Sequence, residues 1–105
     1  MNKLLNVIMK CKHCSKEFEI QQAIEASLFS WPQMKTIWYV CPQCEEGNHI
    51  RFDKGSVQLV QPQGSPGYEY DVISTIMEPT IEIRIDPKFL HIWYMGKHHE
   101  IRERA

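Results

Sequence analysis

The residues of this 105-residue chain best suited to chemistry are its four cysteines. They stand in two pairs, Cys11-Lys12-His13-Cys14 and Cys41-Pro42-Gln43-Cys44, separated by residues 15–40. Two residues between cysteines let one tight turn aim both thiolates at a single ion. Two such turns approaching from opposite sides complete a tetrahedron. The ligands must be thiolates, and a divalent cation itself favours that deprotonation. Every cysteine in the chain is used, and each pair has strand-like flanks. The spacing therefore points to one metal ion held by Cys11, Cys14, Cys41 and Cys44. Two other readings fit less well. The cysteines could be small core residues without a ligand. A thioredoxin-type redox pair needs its thiolate at a helix start in a βαβ setting, which neither pair has.

The remaining polar residues form no catalytic constellation. Gly64-Ser65-Pro66-Gly67 is a loop stiffened by proline, with no lysine to hold a phosphate. No serine lies in a nucleophile-elbow sequence. No His-x-Glu precedes Cys41, as zinc deaminase chemistry needs, and the adjacent Glu45-Glu46 pair reads as solvent-facing. His13 should point away from an ion between the first pair, and His49 could replace a cysteine only if one were missing. His98-His99 reads as a solvated turn or strand end rather than a second metal site. A binding module is expected, not an enzyme.

At the cysteines the chain resembles the zinc-ribbon group, whose second knuckle often reads C-P-x-C, as Cys41-Pro42-Gln43-Cys44 does. Lys16-Glu17-Phe18 after the first knuckle is also common there, and small phage and bacterial zinc proteins of the Com kind are similar. The resemblance covers about residues 7–53. It implies one structural zinc ion closed by four thiolates, with a role in regulation or assembly. A weaker resemblance is to rubredoxin, which implies iron and electron transfer. Rubredoxins carry glycine after each knuckle, where the backbone turns with positive φ. Ser15 and Glu45 stand there, a departure that argues for zinc over iron.

The elements that must position these cysteines are mostly strands, and the fold class is α+β. Leu4–Met9 reads as a strand into the first pair, and Ser15–Ile20 as its return. Ile20, Ile24 and Leu28 are four apart with Ala23 alongside, which predicts an amphipathic helix ending before Trp31-Pro32. Thr36–Val40 runs as a β-branched and aromatic strand into Cys41. His49–Asp53 and Ser56–Gln61 follow as strands around Asp53-Lys54-Gly55. The alternation along the second leaves its buried face open. Ile81, Ile83 and Ile85 alternate with Glu82, Arg84 and Asp86, the cleanest strand pattern in the chain. Residues 88–95 fit either a helix capped at Asp86-Pro87 or a strand after a turn there, and the content of Leu90–Met95 favours the strand. The expected organisation is a single domain over 1–105. It comprises a metal ribbon over 1–60, a Pro/Gly-rich loop over 61–67, and a β-rich extension over 68–105 packed on the ribbon.

Hydrophobic residues make up 43% of the chain and charged residues 24%, enough apolar material for one small core that gains from a metal staple. The net charge of −1 announces neither a nucleic-acid nor a membrane partner. Leu4–Met9 is too short for a secretory signal and no run is long enough to span a membrane, so a cytoplasmic protein is expected. In reducing surroundings, paired cysteines favour metal over disulfide. Nucleic-acid contact would use Lys10, Lys12, Lys16, Lys35 and Arg51 around the knuckles, with Trp38 or Tyr39 to stack on a base. The near-neutral charge favours instead that these cations simply solvate the surface. Protein contact or self-association would use the aromatic segment 89–95, which as a strand is apolar on both faces.

Overall fold

The computed structural model describes residues 8–53, 55–63 and 70–104. Residues 4–7 of the first expected strand, Lys54, and 64–67 of the expected loop lie outside that range.

The first described element is a small hairpin, β1 (Ile8–Lys10) and β2 (Glu17–Glu19), whose tip holds Cys11 and Cys14. Met9 and Phe18 face each other across it and are buried, while their neighbours on both strands are exposed. This period-two burial docks one face of the hairpin on the core. Helix α1 (Ile20–Ala26) follows directly and buries Ile20, Ala23 and Ile24.

The helix stops earlier than its apolar spacing predicts. Ser27 adopts an extended backbone, and its hydroxyl donates to the Ile24 carbonyl at 2.8 Å, closing the last turn. Leu28 then donates its N–H to the Trp38 carbonyl and enters a strand pairing, so it lies outside the helix and is 66% exposed. Sheet pairing takes the chain where another helical turn would have gone. Strand β3 (Phe29–Trp31) results, followed by a short 3-10 turn at Pro32–Met34, with proline at its first position.

Strands β4 (Thr36–Val40), β5 (Gly47–Asp53), β6 (Ser56–Pro62) and β7 (Tyr70–Met77) continue an antiparallel sheet in the order β3-β4-β5-β6-β7. Residues 70–77 thus pair with β6 and extend the sheet that carries the second knuckle. Both faces of β6 are used. Val57 and Leu59 enter the core, whereas Val60 is buried on the opposite face, across from His49. Opposite Leu59 and Val60 the register of β7 slips by one residue at Ile73, a β-bulge.

A second antiparallel sheet is a meander of β8 (Glu82–Ile85), β9 (Phe89–Tyr94) and β10 (Lys97–Arg102). Residues 89–94 are a strand because Asp86 makes the turn before them. Its Oδ1 accepts the N–H groups of Lys88 and Phe89 at 3.1 and 3.0 Å. Met95 and Gly96, with φ of 52° and 76°, then form a tight two-residue hairpin turn. The described residues are mostly β with one α-helix, as the sequence implies.

One apolar cluster lies between the layers. The five-stranded sheet supplies Ile37, Tyr39, Ile50, Phe52, Val57 and Leu59, and the meander supplies Leu90, Ile92, Tyr94 and Ile101. Helix α1 and the first hairpin close it with Ile20, Ala23, Ile24, Met9 and Phe18. The layers are also tied at an edge. Buried Ser30 in β3 donates its hydroxyl to the Ile101 carbonyl at 2.7 Å, and the Arg104 N–H donates to the Ser30 carbonyl.

Candidate metal centre

The two cysteine pairs sit at the tips of two hairpins, β1–β2 and β4–β5, and the backbone repeats between them. Cys11 donates its N–H to the Lys16 carbonyl and accepts from the Ser15 N–H. Cys41 likewise donates to Glu46 and accepts from Glu45. Ser15 and Glu45 close these turns with φ of 65° and 62°. Left-handed geometry costs a residue with a Cβ roughly 1–2 kcal/mol, and both turns form without glycine. The missing glycines therefore do not separate this site from a rubredoxin knuckle, and that argument for zinc over iron falls away.

The two tips bring all four sulfurs within 4.8 Å of one another. Cys11 and Cys44 Sγ are 3.7 Å apart, as are Cys14 and Cys41 Sγ. A disulfide would need about 2.05 Å. A tetrahedron with metal–sulfur bonds of about 2.3 Å has edges of about 3.8 Å. The donor set and its spacing fit a tetracysteine metal site, and four thiolates around such an ion leave no position for a substrate.

The surroundings of the sulfurs are unequal. Cys11 is buried, which disfavours its thiolate, but hydrogen bonds from Asn48 and from the Cys14 and His13 N–H groups outweigh burial and bring it down to about 6. At Cys44, the Glu46 N–H favours the thiolate, but desolvation and the three neighbouring sulfurs push it up to about 12. Four bare thiolates repel one another, and a cation removes that conflict. Burial, then the nearby Cys41 and Cys11, also raises the Tyr39 phenol, whose ring lies 4.9 Å from Phe18 beneath the site.

Sequence reasoning missed Asn48. Fully buried, it donates Nδ2–H to Cys11 Sγ at 3.5 Å and accepts the Lys12 N–H at 3.1 Å, linking the two hairpins. The signal was available: Asn48 shares the inward face of β5 with Ile50 and Phe52, where a polar residue needs a partner. Gly47 was missed as well. A Cβ there would lie 1.9 Å from the Trp38 ring, so the indole lies across the glycine beside the second knuckle.

The cations singled out from sequence divide into two groups. Lys10, Lys12 and Lys16 lie at the first knuckle, with Lys10 opposite Glu17 in the hairpin. Lys35 and Arg51 lie at the far end of β4 and β5, about 17 Å along the strand from Cys41. There both approach Asp53, at 3.8 and 3.7 Å. Trp38 is half-buried on the outer sheet face within a strip of rings. Phe29 stacks on it at 6.1 Å, and Trp31 and His49 meet it edge-on at 6.3 and 4.7 Å. Burial, and then Lys12, pulls His49 down to about 4, so its ring is neutral in this strip. In segment 89–95, Leu90, Ile92 and Tyr94 enter the core, while Arg84 and Arg102 lie over Trp93 and Phe89 at 5.8 Å. No helix among the described residues is long and apolar enough to cross a membrane.

No family model, curated protein or solved structure matches this chain.

Proposed function

We propose that this protein is a non-catalytic binding module, in which Cys11, Cys14, Cys41 and Cys44 hold one structural zinc ion and the β7 edge receives a protein partner. The metal fixes the small β1–β2 hairpin on the main sheet, and the reducing cytoplasm keeps its ligands available. A role in assembly or regulation accords with the zinc-ribbon resemblance.

The contrast between the two edges of the five-stranded sheet carries the partner reading. The β3 edge is covered by residues 101–104 through Ser30. The β7 edge is open among the described residues. It is eight residues long and contains neither lysine nor proline. Val72, Ile73 and Met77 are exposed on it. Natural edges are commonly blunted by charge, proline or a covering segment, and β7 has only its bulge and one charge, Asp71 near its start. An extended peptide adding to such an edge gains main-chain hydrogen bonds and apolar contact together. The basic residues, split between the first knuckle and the far end of β4 and β5, make a less continuous surface for a phosphate backbone.

A photo-crosslinking side chain placed at position 73 in the full chain, in cells, tests this reading against the same probe at exposed Gln33. A discrete protein adduct at 73 and none at 33 supports it. Equal smears at both positions, or a nucleic-acid adduct, would overturn it. Metal content of protein purified without added metal tests the centre: one colourless zinc ion per chain is expected. Iron with a visible thiolate absorption would make the protein an electron carrier, a reading kept open by the rubredoxin-like turns at Ser15 and Glu45.

A further inference from the structure

A second group of ligand-bearing side chains converges on the outer face of the meander. One ligand atom from each of His91, His98 and Glu100 lies within 4.8 Å of the other two. The register explains the convergence. Glu100 stands directly across from His91, and His98 across from Trp93, so all share the face opposite Leu90, Ile92 and Ile101. His99 points to the other face. The partner of His98 is thus seven residues upstream, not its neighbour in sequence.

His91 is 6% exposed, and its Nε2 lies 2.6 Å from Asp86 Oδ2. An ionised carboxylate only accepts, so Nε2 carries the proton and Nδ1 keeps a lone pair. That lone pair faces His98 Nε2 at 3.0 Å. The Lys88 and Phe89 N–H groups hold Asp86, and Trp93 stacks on the His98 ring at 4.5 Å with 6° between planes. Both imidazoles are positioned before any ion arrives, one of them by an outer carboxylate of the kind that orients metal-bound histidine.

We propose that His91 Nδ1, His98 Nε2 and the Glu100 carboxylate form a binding site for a divalent transition-metal ion, with Asp86 as a positioning residue. Bonds of about 2.0–2.1 Å meeting near a right angle place two imidazole nitrogens about 3 Å apart. The ion replaces the hydrogen now between the rings, and His98 moves its proton to Nδ1. Two imidazoles and a carboxylate suit zinc, nickel or copper(II) rather than magnesium or calcium. Three protein ligands leave positions for water, so this site is open where the cysteine site is closed. Arg84, across from His91, and Arg102, two residues beyond Glu100 on the same face, are the nearby opposing charges. Their guanidiniums lie over Trp93 and Phe89, and Glu100 with Asp86 balances the ion. The site is independent of what the cysteines hold.

The test is calorimetric titration of the full chain with Ni²⁺, its cysteine site already loaded with zinc. One nickel equivalent with micromolar affinity is expected. His98→Gln and Glu100→Gln, both at exposed positions, should each weaken it at least tenfold. Asp86→Asn should weaken it about 10–100-fold with stoichiometry unchanged, and His13→Gln should have no effect. No uptake at 100 μM nickel overturns the proposal, as does a His98→Gln protein that binds like the parent.

Discussion

The two hairpins that carry the cysteines share a turn and differ in everything that supports it. The β4–β5 hairpin lies inside a five-stranded sheet, with β3 and β6 bonded on either side and Ile37, Tyr39, Ile50 and Phe52 in the core. The β1–β2 hairpin is a separate two-stranded sheet with three residues per strand, and it sends only Met9 and Phe18 inward. Such a hairpin is marginal by itself in water. One knuckle is built by its sheet; on the structural-metal reading the other relies on the ion, together with the Asn48 bridge, to hold its place.

Metal removal should therefore act unevenly. Chelation under reducing conditions, or Cys11→Ser, should lower hydrogen-exchange protection at Met9 and Phe18 at least a hundredfold, about 2.7 kcal/mol. Amides in β5 and β6 should stay protected. Loss of the whole sheet at once would show that the second hairpin depends equally on metal and would break the comparison. A quadruple Cys→Ser protein as stable as the parent would remove the structural-metal reading altogether.

Gly47→Ala probes the second hairpin alone. The added methyl must displace the Trp38 ring, at a cost of about 1–3 kcal/mol in denaturant unfolding. Combining it with Trp38→Leu should cost less than the two changes added together. Full additivity would mean that the ring does not press on the glycine.

His49 on the same hairpin should confer acid sensitivity. Its folded value of about 4 lies below the ordinary 6.5, because burial and Lys12 disfavour its charge. The unfolded chain takes up a proton that the folded ring refuses. Stability is complete above about pH 6.5 and falls as pH drops toward 4. For a ring that water partly reaches, the loss should be about 1–2 kcal/mol. With zinc saturating, His49→Gln should flatten the slope between pH 6.5 and 5, and an unchanged slope would assign it to proton competition at the thiolates.

The smallest expected effect compares the two turns directly. Ser15→Gly and Glu45→Gly should each stabilise by up to about 1 kcal/mol in thermal unfolding, since glycine accepts positive φ. Similar gains at both would show that the turns are equivalent and only their supports differ.

The cysteine site was legible because spacing alone dictates which thiolates can meet. Strands β5 and β8 were legible because their alternation survives into the burial of Ile50 and Phe52 and the half-burial of Ile83 and Ile85, and β4 was legible from its β-branched and aromatic run. Strand β3 was not, since Phe29-Ser30-Trp31 follows a helical pattern and precedes a proline. Its strand character comes from β4, a tertiary cause. Strand β7 has almost no buried face, so period-two patterning had nothing to mark. The His91–His98 pair was hidden because it depends on the register of a hairpin whose helix-or-strand character the sequence left open.

The Ser30 tie between the two layers also bears on how quickly the chain can fold. Its hydroxyl reaches a carbonyl 71 residues further along. During synthesis β3 emerges long before the segment that covers it, and at about 5–20 residues per second that interval is several seconds. Contacts of such long sequence separation slow folding. The nascent chain must therefore pass through a period with both sheet edges open, when a chaperone or a neighbouring copy competes for the same backbone groups.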